Sequence, residues 1–229
     1  MSRILLKLSG EALSKDGKYD DEVIAGIARQ VKTIIDNGTS VGIVIGGGNY
    51  WRGRSSQNID RCKADQIGML ATVMNCIYVS EIFRLNGMGT EIFTPFACSS
   101  FTRLFAKDDA VAAMDAGKAV FFAGGTGHPF FSTDTGVVLR AAETGADVIY
   151  LAKNVDGVYD SDPKTNPSAK KYDTISIDDV VAKGLQVVDL AASIIAKERK
   201  IPMYVFDLTE KDSIINAVNG KSSGTKVTV

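Results

Sequence analysis

Short, uninterrupted apolar runs recur along this chain with helix-period segments between them, and that alternation constrains the fold more than any single motif. The runs cover residues 4–8, 41–45, 90–93, 119–123, 148–152 and 203–206. A run of this length without polar alternation reads as a strand buried on both faces. Neighbouring parallel strands need a long crossover, and the intervening helical segments supply it. The pattern therefore predicts an α/β fold: a single three-layer domain over residues 1–229, with a largely parallel sheet covered by helices on both faces. The clearest helix is expected over residues 20–37, where Val23, Ile24, Ile27, Val31, Ile34 and Ile35 form one stripe, Asp20 is an N-cap and Gly38 a stop. Further helices are expected over 64–85, 108–116, 134–144, 189–199 and 212–219. Residues 154–173, rich in Asp-Gly, Asp-Pro and Asn-Pro steps, read as a loop or lid. In such a sheet, ligands bind beyond the carboxyl ends of the strands.

Composition narrows the partners. A chain of 229 residues with 45% hydrophobic content can bury one substantial core. A net charge of −1 with scattered basic residues argues against nucleic acid or a membrane surface as the target, so a small molecule is expected. Cys62, Cys76 and Cys98 have no paired spacing, and His128 is the sole histidine, so neither a zinc site nor a disulfide framework is expected. A reducing, cytoplasmic setting follows. The apolar segment at 3–9 is too short for a signal peptide, and the longest uncharged stretch, 67–80, is shorter than a spanning helix needs. No membrane segment is expected.

Three glycine-bearing turns directly follow expected strands: Lys7-Leu8-Ser9-Gly10, Gly46-Gly47-Gly48-Asn49 and Gly124-Gly125-Thr126-Gly127. Main-chain N–H groups without a neighbouring Cβ can approach an anion closely. One such turn is usually a plain connection; three in a small sheet point to phosphate. Neither a Gly-x-x-x-x-Gly-Lys-Ser/Thr loop nor a dinucleotide Gly-x-Gly-x-x-Gly fingerprint is present, so the cations must come from elsewhere. Lys7 lies in an apolar strand, where an ammonium is costly unless it meets an anion; the plain alternative is an edge-strand charge facing water. Arg52 follows the triple glycine and could grip a phosphate bidentately, although a lone loop arginine is usually a solvated charge.

The blocks Lys7-Leu-Ser-Gly-Glu-Ala-Leu13, Gly46-Gly-Gly-Asn-Tyr-Trp-Arg-Gly53, Gly68-Met-Leu-Ala-Thr-Val-Met-Asn75, Gly125-Thr-Gly-His-Pro-Phe-Phe-Ser-Thr-Asp134, Val155-Asp-Gly-Val-Tyr-Asp-Ser-Asp-Pro163 and Val188-Asp-Leu-Ala-Ala192 together resemble the bacterial uridylate kinases of the amino acid kinase superfamily. The resemblance implies ATP-dependent phosphorylation of UMP to UDP with Mg²⁺. It implies a UMP-binding region mainly in residues 1–145, an ATP-binding region mainly in residues 146–229, and assembly as a homohexamer. By the same resemblance Lys7, Arg52, Asp134 and Asp189 carry the chemistry. Lys7, Leu8, Ser9, Gly10, Gly48, Arg52, Lys153, Tyr159 and Asp162 are expected at ATP. Gly47, Asp65 and the stretch Thr126, Gly127, His128, Pro129, Phe130, Phe131, Ser132 and Thr133 are expected at UMP, with Asp65 on the ribose.

Several of these have plain alternatives. Without the resemblance Asp65 reads as a helix-start acid, and Asp134 and Asp189 read as helix caps; Phe130 and Phe131 could equally be core residues. His128 stands where the family usually has asparagine. The expected helix 64–85 is apolar nearly all round, which fits either deep burial or subunit contact. An acyl-acceptor kinase of the same superfamily, or a binding protein without turnover, are the other readings. Where relatives hold a GTP effector with two arginines and a histidine, this chain has Ser80, Arg84 and Glu91. Weak or absent activation by GTP is therefore expected.

Overall fold

The computed structural model describes residues 2–15, 17–51 and 58–229. The strands are β1 (Arg3–Leu8), β2 (Ser14–Lys15), β3 (Lys18–Tyr19), β4 (Ser40–Ile45), β5 (Thr90–Thr94), β6 (Arg103–Leu104), β7 (Ala119–Phe122), β8 (Val148–Lys153), β9 (Val158–Tyr159), β10 (Lys171–Tyr172), β11 (Thr174–Ser176), β12 (Met203–Asp207) and β13 (Thr225–Thr228). The helices are α1 (Asp21–Asp36), α2 (Arg61–Leu85), α3 (Lys107–Asp115), α4 (Thr133–Thr144), α5 (Ile177–Ala182), α6 (Leu190–Arg199) and α7 (Ser213–Val218).

Among the described residues, nine strands form one sheet in the order β11-β13-β12-β8-β1-β4-β7-β5-β6, with only the β12–β13 pair antiparallel. The expected single α/β domain with a largely parallel, doubly covered sheet is what forms. One core cluster packs α1, α2 and α7 against the sheet through residues such as Ile27, Phe83, Phe121 and Phe206; the other packs α3, α4, α5 and α6 through Met114, Val138, Val180 and Ala196. The chain leaves β1 toward β4 on one side and returns to β8 on the other, so the strand order reverses at β1. That is where a crevice opens at the carboxyl edge.

α1 is capped as expected, with Asp20 accepting the Val23 N–H at 3.1 Å. Of its expected stripe, Val23 is instead 40% exposed, because it sits at the first turn beyond the reach of the sheet. α2 starts earlier than expected, at Arg61, with Asp60 accepting the Lys63 N–H at 3.1 Å. By length and composition α2 is apolar enough to cross a membrane, which counting only the uncharged stretch 67–80 does not anticipate. In the fold one side of it lies against α1, β4, β5 and β7. The short helix α5 and the strands β11 and β13 were not expected, and the loop expected at 154–173 contains the β9–β10 ribbon.

Candidate active site

The turns after β1, β4 and β7 leave the sheet side by side at its carboxyl edge. Lys7 stands in β1 between Val44 of β4 and Leu151 of β8. Its strand is central, so the edge-strand alternative fails. Side chains alternate along a strand: Leu6 and Leu8 enter the core beneath α1 and α2, while Leu5 and Lys7 face α4. There Lys7 Nζ lies 2.9 Å from Asp134 Oδ1, with the two side chains only 13% and 20% exposed. The contact is electrostatic, since among the described residues that buried oxygen makes no aligned hydrogen bond.

Asp134 is free for this contact because it does not cap its helix. Ser132 does so, its Oγ accepting the N–H groups of Asp134 at 3.1 Å and Thr135 at 3.4 Å. The capping alternative for Asp134 is thereby overturned. Asp189 does cap α6, accepting the Ala192 N–H at 2.9 Å, and also accepts the Thr135 hydroxyl at 2.8 Å and the Ser132 hydroxyl. It joins the N-termini of α4 and α6. Lys153, the last residue of β8, donates to the Val187 carbonyl. Burial pushes its pKa below the ordinary lysine value, the Lys7 charge adds to that, and Asp134 opposes it. An ammonium held this way gains from any anion that joins it.

Cavities line up along this edge. The first, about 180 Å³, has walls that include Gly47, Gly48, Asp65, Thr126, His128, Phe131, Ser132 and Thr133. A second of about 560 Å³ contains Asp134, Asp189 and Lys153, and shares Ser132 with the first. A third, about 520 Å³, contains Tyr159, Asp162 and Pro163, and shares Lys153 and residues 184–187 with the second. Together they form one trough, with the Lys7–Asp134 pair at its middle.

The structure thus brings most of the expected residues together. Asp65 lies a full turn inside α2, which overturns the helix-start explanation; its Oδ2 accepts Arg61 Nε at 2.9 Å and the Phe130 N–H at 2.8 Å. Phe130 and Phe131 are 63% and 51% exposed, so neither is core, and Phe130 holds a left-handed φ of 74°. Gly127, Pro129 and Phe130 do not wall the first cavity. His128 does, with its N–H on Thr126 Oγ1 at 3.2 Å. Leu8 is buried in the core, so only its main chain can face a ligand. Ser9 Oγ accepts the Ala12 N–H at 3.2 Å, and Gly10 crosses beneath Gly46 with no room for a Cβ. Tyr159 donates its hydroxyl to Asp156 at 2.6 Å, and Asp162 accepts the Lys164 N–H at 2.9 Å in a tight turn. Arg52 lies outside the described residues.

Four residues of the site region are given no individual role by the sequence: Arg61 and Thr72, which wall the first cavity, and Asn49 and Asn75 behind the turns. The available signal was Thr72 and Asn75 at helical spacing inside an apolar helix, since a buried amide must find partners.

The family model described as the amino acid kinase family matches residues 2–207. A uridylate kinase of Mycoplasmopsis pulmonis (strain UAB CTIP) is 45% identical over 232 residues, covering 98% of this chain and 96% of that protein. The crystal structure of a UMP kinase from Ureaplasma parvum superposes with a TM-score of 0.95 at 33% identity, covering 100% of this chain and 99% of the other. That of a UMP kinase from Bacillus anthracis gives 0.95 at 36% identity, covering 99% and 96%. The trough at the strand reversal and these full-length likenesses agree: the chain belongs to the amino acid kinase family and, within it, to the uridylate kinases.

Proposed function

We infer that this chain transfers the γ-phosphoryl of ATP to UMP, forming UDP and ADP in pyrimidine nucleotide synthesis. The observation that carries the reading is the Lys7–Asp134 pair at the middle of a trough with a cavity at each end. UMP occupies the cavity whose walls include Gly47, Asp65, Thr126, His128, Phe131, Ser132 and Thr133, all within the first 145 residues. ATP lies across the other two, mainly within residues 146–229, with adenosine near Tyr159 and Asp162 and the phosphates toward Lys153 and the turn after β1.

Phosphoryl transfer needs positioning and charge stabilisation more than covalent chemistry. Lys7 neutralises charge on the equatorial oxygens of the transferring group, and the main-chain N–H groups of the three turns cradle the phosphates. Asp134 orients the Lys7 ammonium, and Asp189 fixes Ser132 and Thr135 at the joint helix ends. Arg52 is the further phosphate cation. Among the described residues no cluster of three or more acidic, cysteine or histidine side chains could cage a metal. Magnesium typically uses one or two carboxylates plus substrate phosphates, and the poorly satisfied Asp134 Oδ1 fits that role. When bound, Mg²⁺ would supply further neutralisation of phosphate charge.

The outer face of α2 exposes Ile67, Leu70, Met74, Ile77 and Tyr78, which supports self-association, as a homohexamer in this reading. The setting is cytoplasmic. The test is ADP release coupled to a spectroscopic readout, with UMP, CMP, AMP, carbamate, acetylglutamate and aspartate as acceptors. UMP should be strongly preferred, because a site that pairs the uracil imide leaves polar groups unmatched against cytosine. Comparable kcat/KM for CMP, or turnover only with an acyl acceptor, would overturn the reading.

A further inference from the structure

The block from Gly68 to Asn75 lends Gly68, Met69 and Thr72 to the wall of the first cavity, and its inner face also touches two glycine turns directly and the third through a relay. Thr72 and Asn75 lie three residues apart on α2, hence on one side of it, and are 3% and 0% exposed. Thr72 Oγ1 accepts the Gly124 N–H at 2.7 Å and donates to the Met69 carbonyl at 2.7 Å. Asn75 Nδ2 donates to the Gly46 carbonyl at 2.7 Å and to Asn49 Oδ1 at 2.8 Å. Its Oδ1 accepts Asn49 Nδ2 at 3.1 Å and the Tyr19 hydroxyl at 2.8 Å. The amide therefore uses both donors and both acceptor positions. Asn49 Nδ2 also reaches Ser14 Oγ at 3.2 Å, and that hydroxyl donates to the Gly10 carbonyl at 3.2 Å.

Steric contacts make the same links. A Cβ on Gly10 would stand 2.9 Å from Asn75 Nδ2, and one on Gly47 would stand 2.8 Å from the Gly68 carbonyl. The glycines of these turns have no side chains of their own to set their mutual distance, and they have the most conformational freedom. Something rigid must hold them.

We propose that Thr72 and Asn75 are positioning residues, through which α2 acts as the template that sets the spacing of the three glycine turns. The inference rests on the reading of those turns as the phosphate cradle. Misplacing reacting groups by about 1 Å costs on the order of 10²-fold in rate. Loss of either side chain should therefore act on kcat beyond any loss of fold.

The experiment compares wild type with Thr72→Val, Thr72→Ser and Asn75→Ala by steady-state kinetics at a temperature well below each Tm. Hydrogen–deuterium exchange of the same full-length proteins without ligand accompanies it. Thr72→Val should lower kcat by roughly 10- to 100-fold and raise exchange chiefly in residues 123–127. Asn75→Ala should do the same for residues 46–49, and Thr72→Ser, which keeps the hydroxyl, should recover most of the lost rate. Lower Tm with unchanged kcat, or a rise in exchange spread evenly over the chain, would overturn the template. Should Asn75→Ala fail to fold, the two Thr72 variants decide. If the wild type does not phosphorylate UMP, the functional reading fails while the exchange pattern still decides whether α2 holds the turns.

Discussion

Gly10→Ala is the sharpest test of how tightly the site is built. Gly10 has φ −60° and ψ −31°, a conformation alanine adopts freely, so any cost is steric and not a backbone effect. An ideal Cβ there would lie 2.3 Å from Asn49 Oδ1 and 2.4 Å from the Gly46 carbonyl oxygen, well inside the 3.0 Å that real Cβ atoms respect. Neither neighbour can retreat cheaply. Asn75 binds both of them, and the carbonyl belongs to the main chain of the turn. Overpacking a tight site costs about 1–3 kcal/mol, and two immovable contacts place this case near the top, about 3 kcal/mol. For a chain of this size each kcal/mol moves Tm by about 2–4 °C, so a fall of roughly 6–12 °C is expected. The turns must also separate, so kcat at 25 °C should drop by about 10- to 100-fold. Gly26→Ala is the matched control. Gly26 lies inside α1 with only Arg29 Nη2 at 3.8 Å from its would-be Cβ, so alanine should raise Tm by roughly 2–4 °C and leave kcat unchanged. Differential scanning fluorimetry and the coupled assay read both quantities. A Gly10→Ala protein with the Tm and kcat of wild type would refute the reasoning, and a lower Tm with intact kcat would refute the claim about spacing.

Lys7→Ala should lower kcat by roughly 10²-fold while leaving KM for UMP nearly unchanged, because the contact strengthens in the transition state; near-normal turnover would remove Lys7 from the chemistry. Asp65→Asn should act mainly on KM for UMP, since a ribose contact is shared by ground and transition states, and an unchanged KM would leave Asp65 only its bonds to Arg61 and Phe130. Lys153→Met should raise KM for ATP yet raise Tm at pH 7. Burial and Lys7 lower the Lys153 pKa in the fold, so the charged form destabilises the folded state at every pH below that lowered value. The penalty fades as pH climbs from there to the ordinary lysine value, so the Tm advantage should shrink over that window; an advantage that grows with pH would contradict the sign. Millimolar GTP should change initial rates at subsaturating UMP little, because Glu91 is already paired with Lys118 at 3.0 Å and Arg84 with Glu81 at 3.0 Å. A several-fold rise would show that argument wrong.

What could be read in the sequence follows from where the determining forces act. Strands buried on both faces announce themselves as unbroken apolar runs, and β1, β4, β5, β7, β8 and β12 fall within a residue of their expected ends. The start of α4 was harder, because Ser132, Thr133 and Asp134 are all competent caps in succession. Only tertiary structure, which turns the Asp134 carboxylate toward Lys7, selects Ser132. The six-residue α5 and four-residue β13 carry too few apolar positions to show a period, and β13 exists because β11 and β12 flank it. Within the site, Lys7 and the glycine turns were legible, since a lysine in an apolar strand and a turn without side chains are locally odd. Thr72 and Asn75 were not. Their partners Gly124 and Gly46 lie 52 and 29 residues away, so the local signal, two polar residues at helical spacing in an apolar helix, says that they need partners but not which ones.

Met74 and Asn75 are consecutive, yet Met74 is 50% exposed on the outside of α2 while Asn75 is sealed within, bound to the turn after β4. Contact at the outer surface therefore has a short mechanical route inward. A helix of 25 residues is stiffer than the turns it touches, so a small roll or slide of it moves Thr72 and Asn75 together, and Gly46 and Gly124 with them. Whatever settles on Leu70 and Met74 is separated from the reacting edge by little more than the width of one helix, about 10 Å. Substitutions on that outer stripe should consequently be read for rate as well as for association.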